Sequence, residues 1–155
     1  MWFFLKSTGY ELRGGYFTFK TKFLEPFPLP KLTNLDDEEP LVKRVDALLV
    51  LNKNLEDKKQ TFLKRLQSNF ELDKLSKKLE TFWEYDFKTL LSELKKKKIT
   101  LTLKEQDEWE EYFESYQKEL LELQAHIDAR DNEIDKMVYE LYGLTEDEIS
   151  IIENN

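Results

Sequence analysis

Between residues 109 and 141, apolar side chains return at alternating intervals of four and three: Trp109, Phe113, Tyr116, Leu120, Leu123, Ile127, Ile134, Met137 and Leu141, with Arg130 the one polar member. That spacing keeps one face of a helix apolar along its whole length and predicts a heptad seam on a single helix roughly 50 Å long. Gly143 is placed to take the left-handed position that ends it, followed by apolar Leu144. Thr145-Glu146-Asp147-Glu148 then reads as a capping box, with Leu144 and Ile149 spaced as a hydrophobic staple, so a short helix restarts at once.

A second seam begins at Leu41 and continues through Val45, Leu48, Asn52, Leu55 and Phe62, extended by Leu63, Leu66 and Phe70. Two such helices, separated by enough chain to return, predict an antiparallel pair, with Asn52 and Arg130 as polar core residues that set its register. Between them, Leu72, Leu75, Leu79 and Phe82 mark an amphipathic helix that extends through Trp83. Phe87, Leu90, Leu91 and Leu94 mark another, ending in Lys95, Lys96, Lys97 and Lys98. The alternation Ile99-Thr100-Leu101-Thr102-Leu103 predicts a short strand or an extended connection.

The first 31 residues follow another rule. Tyr10-Glu11-Leu12-Arg13 and Tyr16-Phe17-Thr18-Phe19-Lys20 are β-favouring runs around Gly14-Gly15, which predicts a two-residue hairpin with Arg13 facing Tyr16 and Leu12 facing Phe17. A hairpin alone is marginal in water, so either it folds onto the helical body or, the favoured expectation, its missing strands lie upstream in a longer parent chain. Pro26-Phe27-Pro28-Leu29-Pro30 is an extended exit, and the acidic residues before Pro40 lead into the first long helix. The expected fold is mainly α: a long antiparallel helical hairpin or bundle with a small N-terminal β-hairpin. Its expected parts are a β segment over 1–31, a linker over 32–40 and a helical domain over 41–155.

Composition agrees with a helical body, since 36% of the 155 residues are charged and Gly and Pro number only four each. Without cysteine, neither disulfides nor thiolate metal sites can form. No apolar run approaches the roughly 20 residues that span a bilayer, and residues 1–5 are too short for a signal-peptide core, so a cytoplasmic chain without a membrane partner is expected. The net charge of −8 argues against simple nucleic-acid binding, yet residues 1–31 carry five basic and two acidic side chains. A basic front thus precedes a strongly acidic body.

Catalytic chemistry is thin. The paired glycines belong to the hairpin and not to a phosphate loop, and His126 is the sole histidine, expected as a solvated imidazole. Acidic runs at helix starts read as solvated charge that favours the helix dipole, and Glu93-Leu94-Lys95 is a chance match to a nuclease triplet. The four lysines at 95–98 complement a helix C-terminus in the plain reading and form a phosphate-contacting patch in the sharper one. No catalytic residue and no metal ligand is assigned.

Two segments carry a resemblance. Leu12-Arg13-Gly14-Gly15-Tyr16-Phe17-Thr18-Phe19 with Phe23-Leu24-Glu25-Pro26-Phe27-Pro28-Leu29-Pro30 resembles the last strands of a target-recognition domain. The end of the chain from Glu133 to Ile149, with Val138-Tyr139-Glu140-Leu141-Tyr142-Gly143-Leu144-Thr145 as its most specific core, resembles the usual C-terminus of the same proteins. These are the type IIG restriction-modification enzymes and their adenine-specific DNA methyltransferase relatives. The resemblance covers the two ends; the middle matches only as helical filler. In that family the upstream parts carry an S-adenosylmethionine-dependent methyltransferase with an Asn-Pro-Pro-Tyr type motif and often a Mg-dependent nuclease. Neither motif is present here, so no cofactor is expected in this chain itself.

What the resemblance implies is a non-catalytic piece that recognises DNA and couples it to an upstream methyltransferase domain. Its expected partner is double-stranded DNA, contacted by Lys6, Arg13, Tyr16, Lys20, Lys22 and Lys31. The same six residues equally suit an ordinary exposed edge hairpin, where lysine blocks aggregation. The alternative is a structural coiled-coil module that forms a homodimer or docks a protein partner.

Overall fold

The computed structural model describes residues 38–154 together with Glu11, Leu12, Tyr16, Phe17, Thr21 and Glu25. The chain divides into two compact units, Met1–Leu35 and Asp36–Asn155. In the first, β1 (Glu11–Leu12) and β2 (Tyr16–Phe17) pair antiparallel. Their register departs from the expected one: Leu12 faces Tyr16 and Glu11 faces Phe17, leaving three residues between the paired positions. Arg-Gly-Gly supplies the glycine of a three-residue connection as readily as Gly-Gly supplies a two-residue one. The glycine signal therefore does not choose between registers one residue apart.

The second unit is helical throughout its regular structure, as the apolar periodicity predicts. It contains α1 (Glu39–Phe70), α2 (Lys77–Glu80), a 3-10 turn (Phe82–Glu84), α3 (Phe87–Lys96), α4 (Leu103–Tyr142) and α5 (Glu146–Glu153). At 1.5 Å per residue, α1 and α4 are about 48 and 60 Å long. They run antiparallel, with Phe70 beside Trp109, Phe62 beside Phe113, Lys58 paired with Glu119, and Arg44 with Glu133.

The core sits at one end of this pair. Phe62, Leu66, Leu79, Phe82, Leu94, Phe113 and Leu120 are almost fully covered, whereas no described residue before 62 or after 120 is buried. Phe62 is its centre. Its ring stacks on Phe82 at 3.8 Å and on Tyr112 at 5.5 Å, and meets Phe113 edge-on at 6.1 Å. Burial of such a ring, with its transfer and packing terms together, is worth about 3–5 kcal/mol.

The α4 seam is the predicted one: all nine of its apolar members are buried or half-buried. The α1 seam is not. Leu41, Leu48, Leu55 and Phe62 face inward as expected, but the residues between them are Arg44, Leu51 and Lys58, while Val45 and Asn52 are exposed. Choosing Leu51 over Asn52 turns an apolar residue into the interface. The accompanying Arg44 and Lys58 are balanced by Glu133 and Glu119 across the pair. Asn52 bonds to the Leu48 carbonyl in its own helix, and exposed Arg130 bonds to Glu133 at 2.8 Å. Neither is a core residue, and they fall at different levels of the pair.

The helix expected from Leu72 through Trp83 is also corrected. Leu72 is buried before any helix starts, Ser76 is still extended, and Thr81 interrupts α2 after a single turn. The 3-10 turn buries the adjacent Phe82 and Trp83 together, their rings perpendicular at 5.6 Å. Residues 99–102 form the extended connection and no strand, with Leu101 buried. Thr102 and Thr145 close capping boxes with Glu105 and Glu148, and Gly143 ends α4 at φ 61°.

Candidate nucleic-acid interface

Of the basic and aromatic residues expected to meet DNA, Lys6, Arg13, Lys20, Lys22 and Lys31 lie outside the described residues. Tyr16 is described only as a member of β2, paired with Leu12.

Within the helical unit, positive charge is concentrated in one stretch. Residues 58–106 hold 13 Lys or Arg against seven Asp or Glu, whereas residues 32–57 and 107–155 together hold six against 23. The lysines gather where α2 begins and α3 ends. The two elements are tied by Glu93, a buried charged side chain at 7% exposure. Its carboxylate accepts from Ser76 Oγ at 2.7 Å and from Lys96 Nζ at 2.5 Å. These bonds, that to Lys96 foremost, hold the Glu93 pKa below the ordinary carboxylate value. Lys74, Lys77 and Lys78 lead into or belong to α2, and residues 95–98 close α3; all are exposed. Lys78 lies over the Tyr85 ring at 5.4 Å. Sequence reading singled out residues 95–98 but missed Lys74, Lys77 and Lys78, whose Lys-x-x-Lys-Lys spacing was the available signal.

The end of α3 has an uncommon shape. Ile99 N–H bonds back to the Leu94 carbonyl at 3.1 Å and Lys98 N–H to that of Lys95 at 2.9 Å. This double closure normally has glycine at its left-handed position, but here Lys98 occupies it at φ 64°. The chain therefore reverses sharply inside the lysine run.

Other features offer less chemistry. An open cleft of about 570 Å³ between α1 and the approach to α2 is lined by Lys59, Lys74, Asp73, Glu80, two glutamines and two leucines. Lys59 is already paired with Glu56 at 2.7 Å. His126 is exposed beside Lys58 and Glu119, as expected of a solvated imidazole. Tyr112, desolvated and in contact with Tyr116, has its pKa pushed up to about 12. No group of His, Cys, Asp or Glu among the described residues is arranged to hold a metal ion.

A family model, described as Domain of unknown function (DUF8810), matches residues 34–138, more than half of the chain. The chain belongs to this family. The DUF8810 match takes in α1, the lysine-bearing α2 and α3, and α4 to within a few residues of its end. It leaves out the hairpin and most of the C-terminal segment on which the restriction-modification resemblance rests. No curated protein and no solved structure matches the chain.

Proposed function

We propose that this chain is a non-catalytic, C-terminal DNA-recognition and coupling part of a restriction-modification enzyme whose adenine-specific methyltransferase domain lies upstream. The observation that carries the reading within the helical unit is the segregation of charge. A protein of net charge −8 nevertheless collects an excess of six positive charges over residues 58–106. Phosphate attraction supplies most of the affinity of such surfaces, and base contacts supply the specificity. In this reading the hairpin, with Arg13, Lys20 and Lys22, and with Lys6, Tyr16 and Lys31 as neighbours, reads the duplex. The α1–α4 pair connects that reading to the upstream domain. S-adenosylmethionine and Mg act there and not in this chain, and a DNA-directed enzyme of this kind works in the cytoplasm. Among the described residues, no helix is long and apolar enough to cross a membrane.

One observation favours a second reading, a structural module that self-associates as a homodimer. Val42, Val45 and Leu49 form a second heptad-spaced stripe on α1 that is exposed, Leu49 to 62%. Two measurements on the full chain separate the readings. Duplex binding that weakens steeply as salt rises is expected for the DNA-recognition part. Undetectable binding at low salt, together with a stable dimer by light scattering, overturns it in favour of the structural module.

A further inference from the structure

We infer that the lysines at the α2–α3 junction are a docking surface for the phosphate backbone of duplex DNA, separate from the hairpin. The inference rests on the DNA reading above and assigns contacts that carry affinity without sequence preference.

Residues 74–98 contain eight lysines and four acidic side chains. Two of the four acids are already engaged. Glu93 holds Ser76 and Lys96, and Asp86 caps α3 by accepting from the Thr89 N–H at 2.9 Å. Lys74, Lys77, Lys95, Lys97 and Lys98 make no ion pair among the described residues. The Ser76–Glu93 bond brings the two lysine-bearing segments together, so this is one patch and not two. A lysine at φ 64°, where glycine is favoured by roughly 1 kcal/mol, sits at the sharp reversal that ends the lysine run.

The chemistry of the patch selects its partner. Ammonium groups on flexible stems suit phosphate oxygens as point charges and lack the planar fork with which arginine reads guanine. Single strands are bound on exposed aromatic platforms, but Phe82, Trp83 and Phe87 are buried here and the half-buried Tyr85 ring lies under Lys78. An anionic membrane surface calls for an apolar helix face beside the charges, and the α3 exit offers only Leu103. An intact duplex, contacted along its backbone, fits what is left.

The test uses the full chain and its K77Q/K95Q/K97Q/K98Q variant, with Lys96 retained because it holds Glu93. Binding to a mixed-sequence duplex is followed by fluorescence anisotropy across a salt series. The variant is expected to bind at least tenfold more weakly at the lowest salt. Its slope of log affinity against log salt should be shallower by about 3 to 4, nearly one for each lost phosphate contact. Should the quadruple variant fail to give the wild-type circular dichroism melt, K77Q/K97Q serves in its place, with about half the change in slope. Wild-type binding with an unaltered slope in the variant overturns the docking surface and leaves the DNA reading standing. A wild-type chain that binds no duplex at the lowest salt removes both. Phosphatidylserine vesicles that displace the duplex, through the same lysines and at equal strength, overturn the inference in favour of a membrane.

Discussion

Glu93 shows how one side chain joins two segments. Its carboxylate is covered, so leaving it without partners would be costly; Lys96 in its own helix and Ser76 supply them, and the Ser76 bond holds the start of α2 against α3. Because the folded-state pKa is lowered, the stabilisation is fully present above the ordinary glutamate value of 4.5 and is lost as pH falls through the lower folded value. Replacing Glu93→Gln removes this ionisation. The wild type is expected to exceed the variant in stability at neutral pH, and the gap should close as the solution is acidified below pH 4.5. Urea unfolding of both proteins at several pH values measures this. A gap that stays constant into strong acid would remove the carboxylate from the account. In the sequence, Glu93 is one acid among 32 in the chain, sitting in a chance-like Glu-x-Lys match. The local Glu93–Lys96 pair looks like any other on a charged helix, and what joins two segments is the bond to Ser76, 17 residues away.

Helix α1 carries two overlapping apolar stripes, and its partner selects between them. Leu41, Leu48 and Leu55 serve either choice, so periodicity alone could not separate Val45 and Asn52 from Arg44, Leu51 and Lys58. The decision depends on Glu119 and Glu133, which lie on the opposite helix and allow two cations to turn inward. A substitution pair tests this assignment. Leu51→Ala is expected to cost roughly 1–2 kcal/mol, as suits a half-buried leucine, while Asn52→Ala stays within about 0.5 kcal/mol. Chemical denaturation reads both, and the opposite ranking would restore Asn52 to the interface. Helix ends divide similarly. Gly143 announces the end of α4, but α1 and α3 end on Glu71 at φ 49° and Lys98 at φ 64°. Neither residue type favours that conformation. Tertiary packing imposes it, since the next apolar residue, Leu72 or Ile99, turns back to pack on the core.

Across the helical unit, stability is uneven. The aromatic core is confined to one end, and the paired helices beyond it contain no buried residue among those described. Amide hydrogens within residues 41–55 and 123–141 are therefore expected to exchange faster than those of 62–66, 87–94 and 113–120. The reason is that local opening there exposes little apolar surface. Exchange measured by mass spectrometry on the full chain checks this, and uniform protection along α4 would count against it. In solution, uniform protection would also be the signature of a second copy covering Val42, Val45 and Leu49.

Sequence by itself determined the mainly helical class, the two long helices, the α4 seam and its glycine stop, and the capping box at Thr145. Each of these is decided by residues within a few turns of one another, through side-chain periodicity or the satisfaction of terminal backbone groups. Tertiary structure alone decided which stripe of α1 is inside, that the expected second helix breaks into one turn and a 3-10 turn, and that Glu93 ties two lysine-bearing segments into one patch. Those outcomes depend on contacts between residues far apart in the chain, whose energies exceed the local preferences they override.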